Sequence, residues 1–245
     1  MVVNMYLWCY NYNVISSWNK GLTKENSKSV KQISLTMKKR RVDNFKVWRE
    51  KMKETGRIKT VYKTLERNGD LAELIGVILG DGHIGIFPRT ECLLIFSNTK
   101  NKGFISRYSY LVEKVFSKKP SIRNLTTSNC TRICIYEKYI SKRLNISKGA
   151  RLKKRITIPS WILKDREFVL RYLRGLYEAE GNFSIHKPTY TYKMFFSNSN
   201  RSLERIVYRL VSNLGFHPNL CGSKVQISRK EEVYKFIDLI SFRKY

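Results

Sequence analysis

Acidic side chains are scarce in this sequence: 19 Asp and Glu stand against 48 Lys and Arg among 245 residues, a net charge of +29 at neutral pH. A compact fold carrying that excess repels itself unless an anionic partner offsets it, which points to nucleic acid or an anionic surface and away from small acidic substrates. Long apolar runs are missing as well. No stretch reaches the roughly 18 to 20 residues that a membrane-crossing helix needs, and the opening MVVNMYLWCYNYNVISSW has no basic leader and several Asn, unlike a secretory signal. The cations are interleaved with strand-like segments instead of lining one amphipathic helix, which disfavours a membrane-surface role. Cysteine is sparse and odd in number, at Cys9, Cys92, Cys130, Cys134 and Cys221, with no CxxC pair and no histidine at zinc spacing. Reduced, mostly buried thiols are expected, in a soluble protein of a reducing compartment, the cytoplasm or an organellar matrix. Within CTRIC, Cys130 and Cys134 fall on one strand face, because side-chain direction repeats every two residues.

What the sequence does hold is ample core material, 42% hydrophobic with 13% aromatic, distributed unevenly. Residues 1–66 carry 15 Lys and Arg against 5 acids, clustered Ser, Asn and Lys, and no long periodic apolar segment. They read as a basic arm. Inside it Val30, Ile33 and Met37 sit at helical spacing and run into MKKRR, and VDNFKVWREKMKETG can add a second short helix ending at Gly56. Helices this short are marginal alone in water, so a partner would help to order them.

From about Gly69 the pattern becomes a dense alternation of helix-like and strand-like segments, and it occurs twice. LIGVILGDG (Leu74 to Gly82) is echoed by LRGLYEAEG (Leu173 to Gly181) at an offset of 99, and strand-like CLLIFSN by KMFFSNS at an offset of 100. Amphipathic FISRYSYLVEKVF and SLERIVYRLVSNLG follow. Next come the strand pairs SIRNLTT with CTRICIYEK and HPNLCG with KVQISRK, then the short helices KYISKRL and EEVYKFIDLI. Each half reads helix, strand, strand, helix, strand, strand, helix. The expected division is a first half over 67–148, a basic linker over 149–164 punctuated by Gly149 and Pro159, and a second half over 165–245.

In the first repeat helix, Leu71, Leu74, Ile75 and Ile78 define an apolar face, while Gly76 and Gly80 lie four apart on another; Gly175 and Ala179 repeat the small residues in the second. A glycine inside a helix costs about 1 kcal/mol relative to alanine. Matched small residues therefore predict a close backbone neighbour, and the simplest one is the other helix. Crossing there brings the C-terminal acids Asp81 and Glu180 side by side. The following Gly82 and Gly181 are expected to end each helix in the left-handed conformation. Paired carboxylates beside free backbone carbonyls are hard oxygen ligands suited to Mg²⁺, which in phosphodiester hydrolysis polarises phosphate and activates water. With a basic surface, the pattern predicts a nuclease.

LAELIGVILGDGHIG and LRGLYEAEGNFSI resemble the two signature helices of the LAGLIDADG homing endonucleases in their single-chain form, over roughly residues 69 to 245. The resemblance implies an α+β fold, two pseudo-symmetric αββαββα halves forming a saddle of antiparallel sheets that lies in the DNA major groove. It implies Asp81 and Glu180 as metal-binding catalytic acids, with the backbone carbonyls of Gly80 and Ala179 as further ligands and Mg²⁺ (or Mn²⁺) as cofactor. Members place a basic residue near the end of the second strand; Lys100 takes that place here, as catalyst or phosphate contact, and its counterpart is Asn200. The segment WNKGLTKENSKSVKQISLTMKK of the arm resembles the NUMOD3-type DNA-binding module, which implies that Lys20, Lys38, Lys39, Arg40 and Arg41 lie along DNA.

His83, Arg89, Arg123, Arg132, His186, Lys187, Tyr192 and Lys193 are candidates for base or phosphate contacts. A one-residue error in strand register would reverse each of them. The expected function is a monomeric, site-specific double-strand DNA endonuclease of intron mobility, each acid serving one strand. The alternative is an RNA-splicing maturase, with intron RNA as partner, or a catalytically silent DNA-binding protein of the same fold.

Overall fold

The computed structural model describes residues 17–40, 43, 45–126 and 128–245, and the chain divides into two compact units, residues 1–61 and 62–245. In the first unit the two short helices expected from the arm form as α1 (Lys28–Arg40) and α2 (Lys46–Glu54). α1 ends in Lys38, Lys39 and Arg40, cations at the negative end of the helix dipole. Neither helix buries a residue, and Ile33, Leu35 and Met37 stay exposed. Arg41 and Cys9 lie outside the described residues.

The second unit contains the repeat. Its first half runs α3 (Gly69–Asp81), β1 (Gly82–Ile86), β2 (Glu91–Asn98), α4 (Lys102–Phe116), β3 (Ser121–Asn124), β4 (Cys130–Glu137) and α5 (Ile140–Leu144). After the linker, with a 3₁₀ turn at Ile162–Lys164, come α6 (Arg166–Glu180), β5 (Gly181–His186), β6 (Thr191–Ser197), α7 (Arg201–Asn213), β7 (Asn219–Cys221), β8 (Lys224–Ile227) and α8 (Lys230–Leu239). A further 3₁₀ turn at Lys187–Thr189 links β5 to β6. Helix starts follow capping chemistry. The side chains of Asn68, Asp165, Asn101 and Asn200 accept backbone N–H groups at the starts of α3, α6, α4 and α7.

Both sheets are antiparallel with the same strand order, β1-β2-β4-β3 and β5-β6-β8-β7. Register fixes which side of each sheet is packed. Ile84 pairs with Leu93, Leu93 with Ile135 and Ile122 with Ile133, and the buried members of this set face the core. Their alternates, His83, Leu94, Phe96, Arg123 and Arg132, therefore share the opposite, more open face, on which Cys134 is nevertheless buried. In the second sheet Phe183, Met194, Phe196, Val225 and Ile227 take the packed side, leaving Asn182, Ser184, His186, Lys193, Phe195, Lys224 and Gln226 on the open one.

The four cysteines among the described residues are free: Cys92 and Cys134 are buried, Cys130 is half-buried and Cys221 exposed. Cys130 and Cys134 do share a strand face. The close neighbour of Cys134 is nevertheless Cys92 on the adjacent strand, with 3.2 Å between the sulfurs.

α3 and α6 form the centre of this unit. α3 is buried almost all round, from Leu71 through Leu79, which explains why its sequence is apolar on more than one face. The two helices meet through their small residues. A Cβ on Gly76 would lie 3.0 Å from the backbone nitrogen of Leu176, one on Gly175 would lie 2.8 Å from that of Val77, and one on Gly80 would lie 2.5 Å from Cβ of Ala179. The expected crossing is present.

At the start of the crossing sits a buried ion cluster. Glu73 is fully buried and accepts from Arg107 Nε at 2.5 Å, Arg107 Nη2 at 2.7 Å and Arg171 Nε at 2.6 Å. Arg171 also pairs with Asp70, which takes Lys114 as a second partner. This cluster joins α3, α4 and α6.

One expectation fails. Gly82 and Gly181 are not left-handed but extended, with φ of −94° and −89°. Each helix passes straight from its acid into a strand that folds back over its last turn. The need for glycine is steric: a Cβ would lie 2.5 Å from Cα of Ile78 at the first junction and 2.8 Å from Cα of Tyr177 at the second.

Candidate functional site

The acids come together because the crossing forces them to. With Gly80 against Ala179, a Cβ on Gly80 would also lie 3.0 Å from Cγ of Glu180, so the last turns of the two helices touch and the Glu180 carboxylate is near enough to act on that of Asp81. Burial first, and the Glu180 carboxylate second, push the Asp81 carboxyl up to about 7. Glu180 is raised by burial, and a hydrogen bond from Asn198 Nδ2 to its Oε1 at 3.1 Å pulls it partly back. Two like charges held in a partly dry place at the negative ends of two helices are unfavourable by themselves. A cation placed between them would offset that cost.

The donor set decides which cation. Among the described residues no three His, Cys, Asp or Glu side chains cluster as a metal site, so a site here is completed by backbone carbonyls, water or phosphate oxygens. Two carboxylates with few protein ligands and room for water suit Mg²⁺ or Mn²⁺; a closed thiolate or imidazole site for zinc would need more. A cavity of about 410 Å³ adjoins Glu180, lined also by Gly80, Gly82, His83, Arg151 and Asn198; Asp81, between two of these residues in sequence, is not part of its lining.

Asn198 is a residue that the sequence reading passed over, although the SN doublet at 97–98 and 197–198 was a usable signal. In both halves this asparagine builds the same turn: Asn98 Oδ1 accepts from the backbone N–H of Lys100, and Asn198 Oδ1 from that of Asn200, each at 2.9 Å. Lys100 is exposed in its turn. Asn200, its counterpart, is buried and points elsewhere. It caps α7 through its Oδ1 and donates from Nδ2 to the carbonyls of Arg151, Leu152 and Lys154 at 2.7, 3.2 and 2.8 Å.

The candidate DNA contacts divide by face. His83, Arg123 and Arg132 lie on the open face of the first sheet, and His186 and Lys193 on that of the second. Arg89 and Lys187 are exposed in the turns joining β1 to β2 and β5 to β6. Tyr192 is the exception. Alternation puts it with Met194 on the packed side, its ring 5.7 Å from that of Tyr234 in α8 and capped by the Lys230 ammonium at 5.1 Å. It supports the sheet and does not join the open face. In the arm, Lys20 lies in a turn and Lys38, Lys39 and Arg40 at the end of α1, all exposed.

Residues 167–244 match the family model described as a LAGLIDADG-like domain. No curated protein matches the chain. Among solved structures, the N-terminal LAGLIDADG domain of DUF199/WhiA is similar at 17% identity and a TM-score of 0.50, covering 74% of this chain and 84% of that one. Full-length DUF199/WhiA from Thermatoga maritima is similar at 16% identity and a TM-score of 0.49, covering 76% of this chain and 59% of that one. The homing endonuclease I-DmoI in complex with DNA and Mn is similar at 19% identity and a TM-score of 0.48, covering 70% and 96%. The second unit has the LAGLIDADG fold: mixed α+β, with two four-stranded antiparallel sheets.

Proposed function

We propose that this chain is a site-specific double-strand DNA endonuclease that acts as a monomer and uses Mg²⁺ or Mn²⁺, with Asp81 and Glu180 as its acids. The observation that carries this reading is the pair itself. Two partly buried carboxylates stand close enough that one raises the other, at an energetic cost that a divalent ion and a phosphate would reverse. A silent DNA-binding protein of this fold has no use for that cost, which favours cleavage over the alternative.

Bound there, a divalent ion would polarise a phosphate oxygen and lower the pKa of a water. The chain's own residues do the rest. Asp81 and Glu180 hold the site from two sides, each serving one strand, with the carbonyls of Gly80 and Ala179 as further oxygen donors. Asn198 orients Glu180. Lys100 contacts phosphate or organises water in the first half. His83, Arg123 and Arg132, with His186 and Lys193, face the bases and backbone, and Arg89 and Lys187 reach phosphates at the strand ends. The arm, a NUMOD3-like module, adds sequence-independent contacts through Lys20, Lys38, Lys39, Arg40 and Arg41. The biological setting that suits such an enzyme is intron mobility.

Cleavage of a randomised duplex library with Mg²⁺, Ca²⁺ or no metal tests this directly. Wild type should select and cut a long site only with Mg²⁺ or Mn²⁺, and Asp81→Asn and Glu180→Gln should bind that site without cutting both strands. Cutting by the double variant at the wild-type rate overturns the mechanism.

A further inference from the structure

The two helix–strand junctions that carry the acids are not held in the same way. At the second junction, Asn198 bonds the Glu180 carboxylate itself. At the first, the holding group comes from the linker: Arg151 Nη2 donates to the carbonyls of Ile78 at 2.7 Å and Gly82 at 2.6 Å, which straddle Asp81. The Ile78 carbonyl is also the acceptor for the N–H of Gly82, so one guanidinium nitrogen ties the last turn of α3 to the first residue of β1.

This is an expensive place for a cation. Arg151 has no carboxylate among its hydrogen-bond partners, its Nη1 is buried without a partner among the described residues, and burial holds its guanidinium below the usual range. Two things make it stable there. The α3 C-terminus offers the negative end of a helix dipole, and the linker backbone is pinned by Asn200, whose amide spans the carbonyls of Arg151, Leu152 and Lys154. The Asn200 position is where the first half carries Lys100. A chain that needed only to cap α7 could do so with the acceptor oxygen alone; the donor side of Asn200 serves the linker.

We infer that Arg151, pinned by Asn200, is a positioning residue for the Asp81 half of the site. The linker of one polypeptide thereby supplies, on one side only, the brace that fixes an acid at the two-helix junction. This rests on the proposed endonuclease reading and adds an asymmetry to it: the Asp81-dependent strand depends on the linker and the Glu180-dependent strand does not. Loss of outer partners of a metal-binding group typically costs about 10- to 100-fold in affinity or activity.

The experiment uses the full chain and a duplex labelled separately on each strand. Asp81→Asn and Glu180→Gln first identify which strand depends more on which acid. Arg151→Ala should then slow the Asp81-dependent strand by at least about 10-fold while leaving the other within about 3-fold. Asn200→Asp keeps the capping oxygen and removes the amide donor, and should show the same selective loss. Combining the two should be no worse than either alone, because they act as one device. Mn²⁺ affinity of the protein–DNA complex, read from the free-ion EPR signal, should fall in both variants, with thermal midpoint and DNA binding in Ca²⁺ showing that they are folded. Equal slowing of both strands, no slowing, or unchanged Mn²⁺ affinity overturns the inference. If wild type binds Mn²⁺ through Asp81 but cuts nothing, the endonuclease reading fails and the EPR arm alone judges the brace; a wild type that neither binds nor cuts overturns both.

Discussion

Gly76 and Gly175 face each other where α3 and α6 cross, and neither has room for a side chain: a Cβ on Gly76 would lie 3.0 Å from the Leu176 nitrogen, and one on Gly175 would lie 2.8 Å from the Val77 nitrogen. The obstruction on each side is backbone, which cannot rotate away. Gly175→Ala should therefore force the helices apart, lowering stability by about 2 to 3 kcal/mol and separating the acids. Gly85→Ala makes a control, because its added methyl meets nothing nearer than 3.6 Å. Urea unfolding of the three proteins checks this; equal midpoints for Gly175→Ala and wild type would show that the crossing tolerates a side chain.

That crossing was legible in the sequence because small residues in a helix carry a known penalty, and the penalty recurred in register. The succession of helices and strands along the chain was legible for the same reason: one pattern, written twice, constrains itself. The Gly82 and Gly181 conformations were not. A glycine after a helical acid fits either a left-handed cap or a close backbone approach, and only the path of the following strand selects between them. Tyr192 and Lys193 are neighbours in β6 and point to opposite faces in any register, so only one of the two candidates can join the open face. Arg151 could not have been singled out from SKGARLKKR, where the cations look alike until the chain is folded.

Glu73 holds three helices together from inside. It is fully buried, and Arg107 grips both of its oxygens while Arg171 takes one. Glu73→Ala leaves the partly buried Arg107 guanidinium without its bonded carboxylate and Arg171 with Asp70 alone, and breaking such a buried cluster from one side costs about 3 to 5 kcal/mol. We expect a loss of that size in chemical denaturation, with Glu73→Gln losing less because it still accepts hydrogen bonds. A surface-like loss under about 1 kcal/mol for Glu73→Ala would show that water replaces the carboxylate.

Removing the first unit should leave the second folded and weaken its hold on DNA. The cut belongs after Val61, not further along: Leu65 is buried, the Tyr62 ring packs 5.7 Å from that of Tyr139, and the Lys63 carbonyl accepts from Arg143. Each lost phosphate contact reduces the slope of log affinity against log salt by about 0.9. The truncated chain should bind more weakly at low salt, with a shallower slope and an unchanged unfolding midpoint. The same affinity and slope as full-length protein would remove the arm from the interface.

Asp81 gives the metal-free protein a pH dependence whose sign is fixed. Burial and Glu180 raise its carboxyl from the ordinary 3.8 to about 7, so between those values the folded chain keeps a proton that the unfolded chain has released. The stabilisation is fully present below about pH 4 and is lost as pH rises through 7, at a slope of at most about 1.4 kcal/mol per pH unit for one proton. Other groups titrate in both directions, Glu180 upward and Asp70 and Glu91 downward, so the quantity to measure is the difference between wild type and Asp81→Asn. In chelator, urea unfolding from pH 5 to 8 should show wild type losing ground steadily against the variant. With Mg²⁺ the difference should flatten or reverse, because the ion takes over from the proton as the neutralising partner. Parallel stability curves in chelator would mean that Asp81 ionises as freely as an exposed acid, and a pair so relaxed would have no need of a cation.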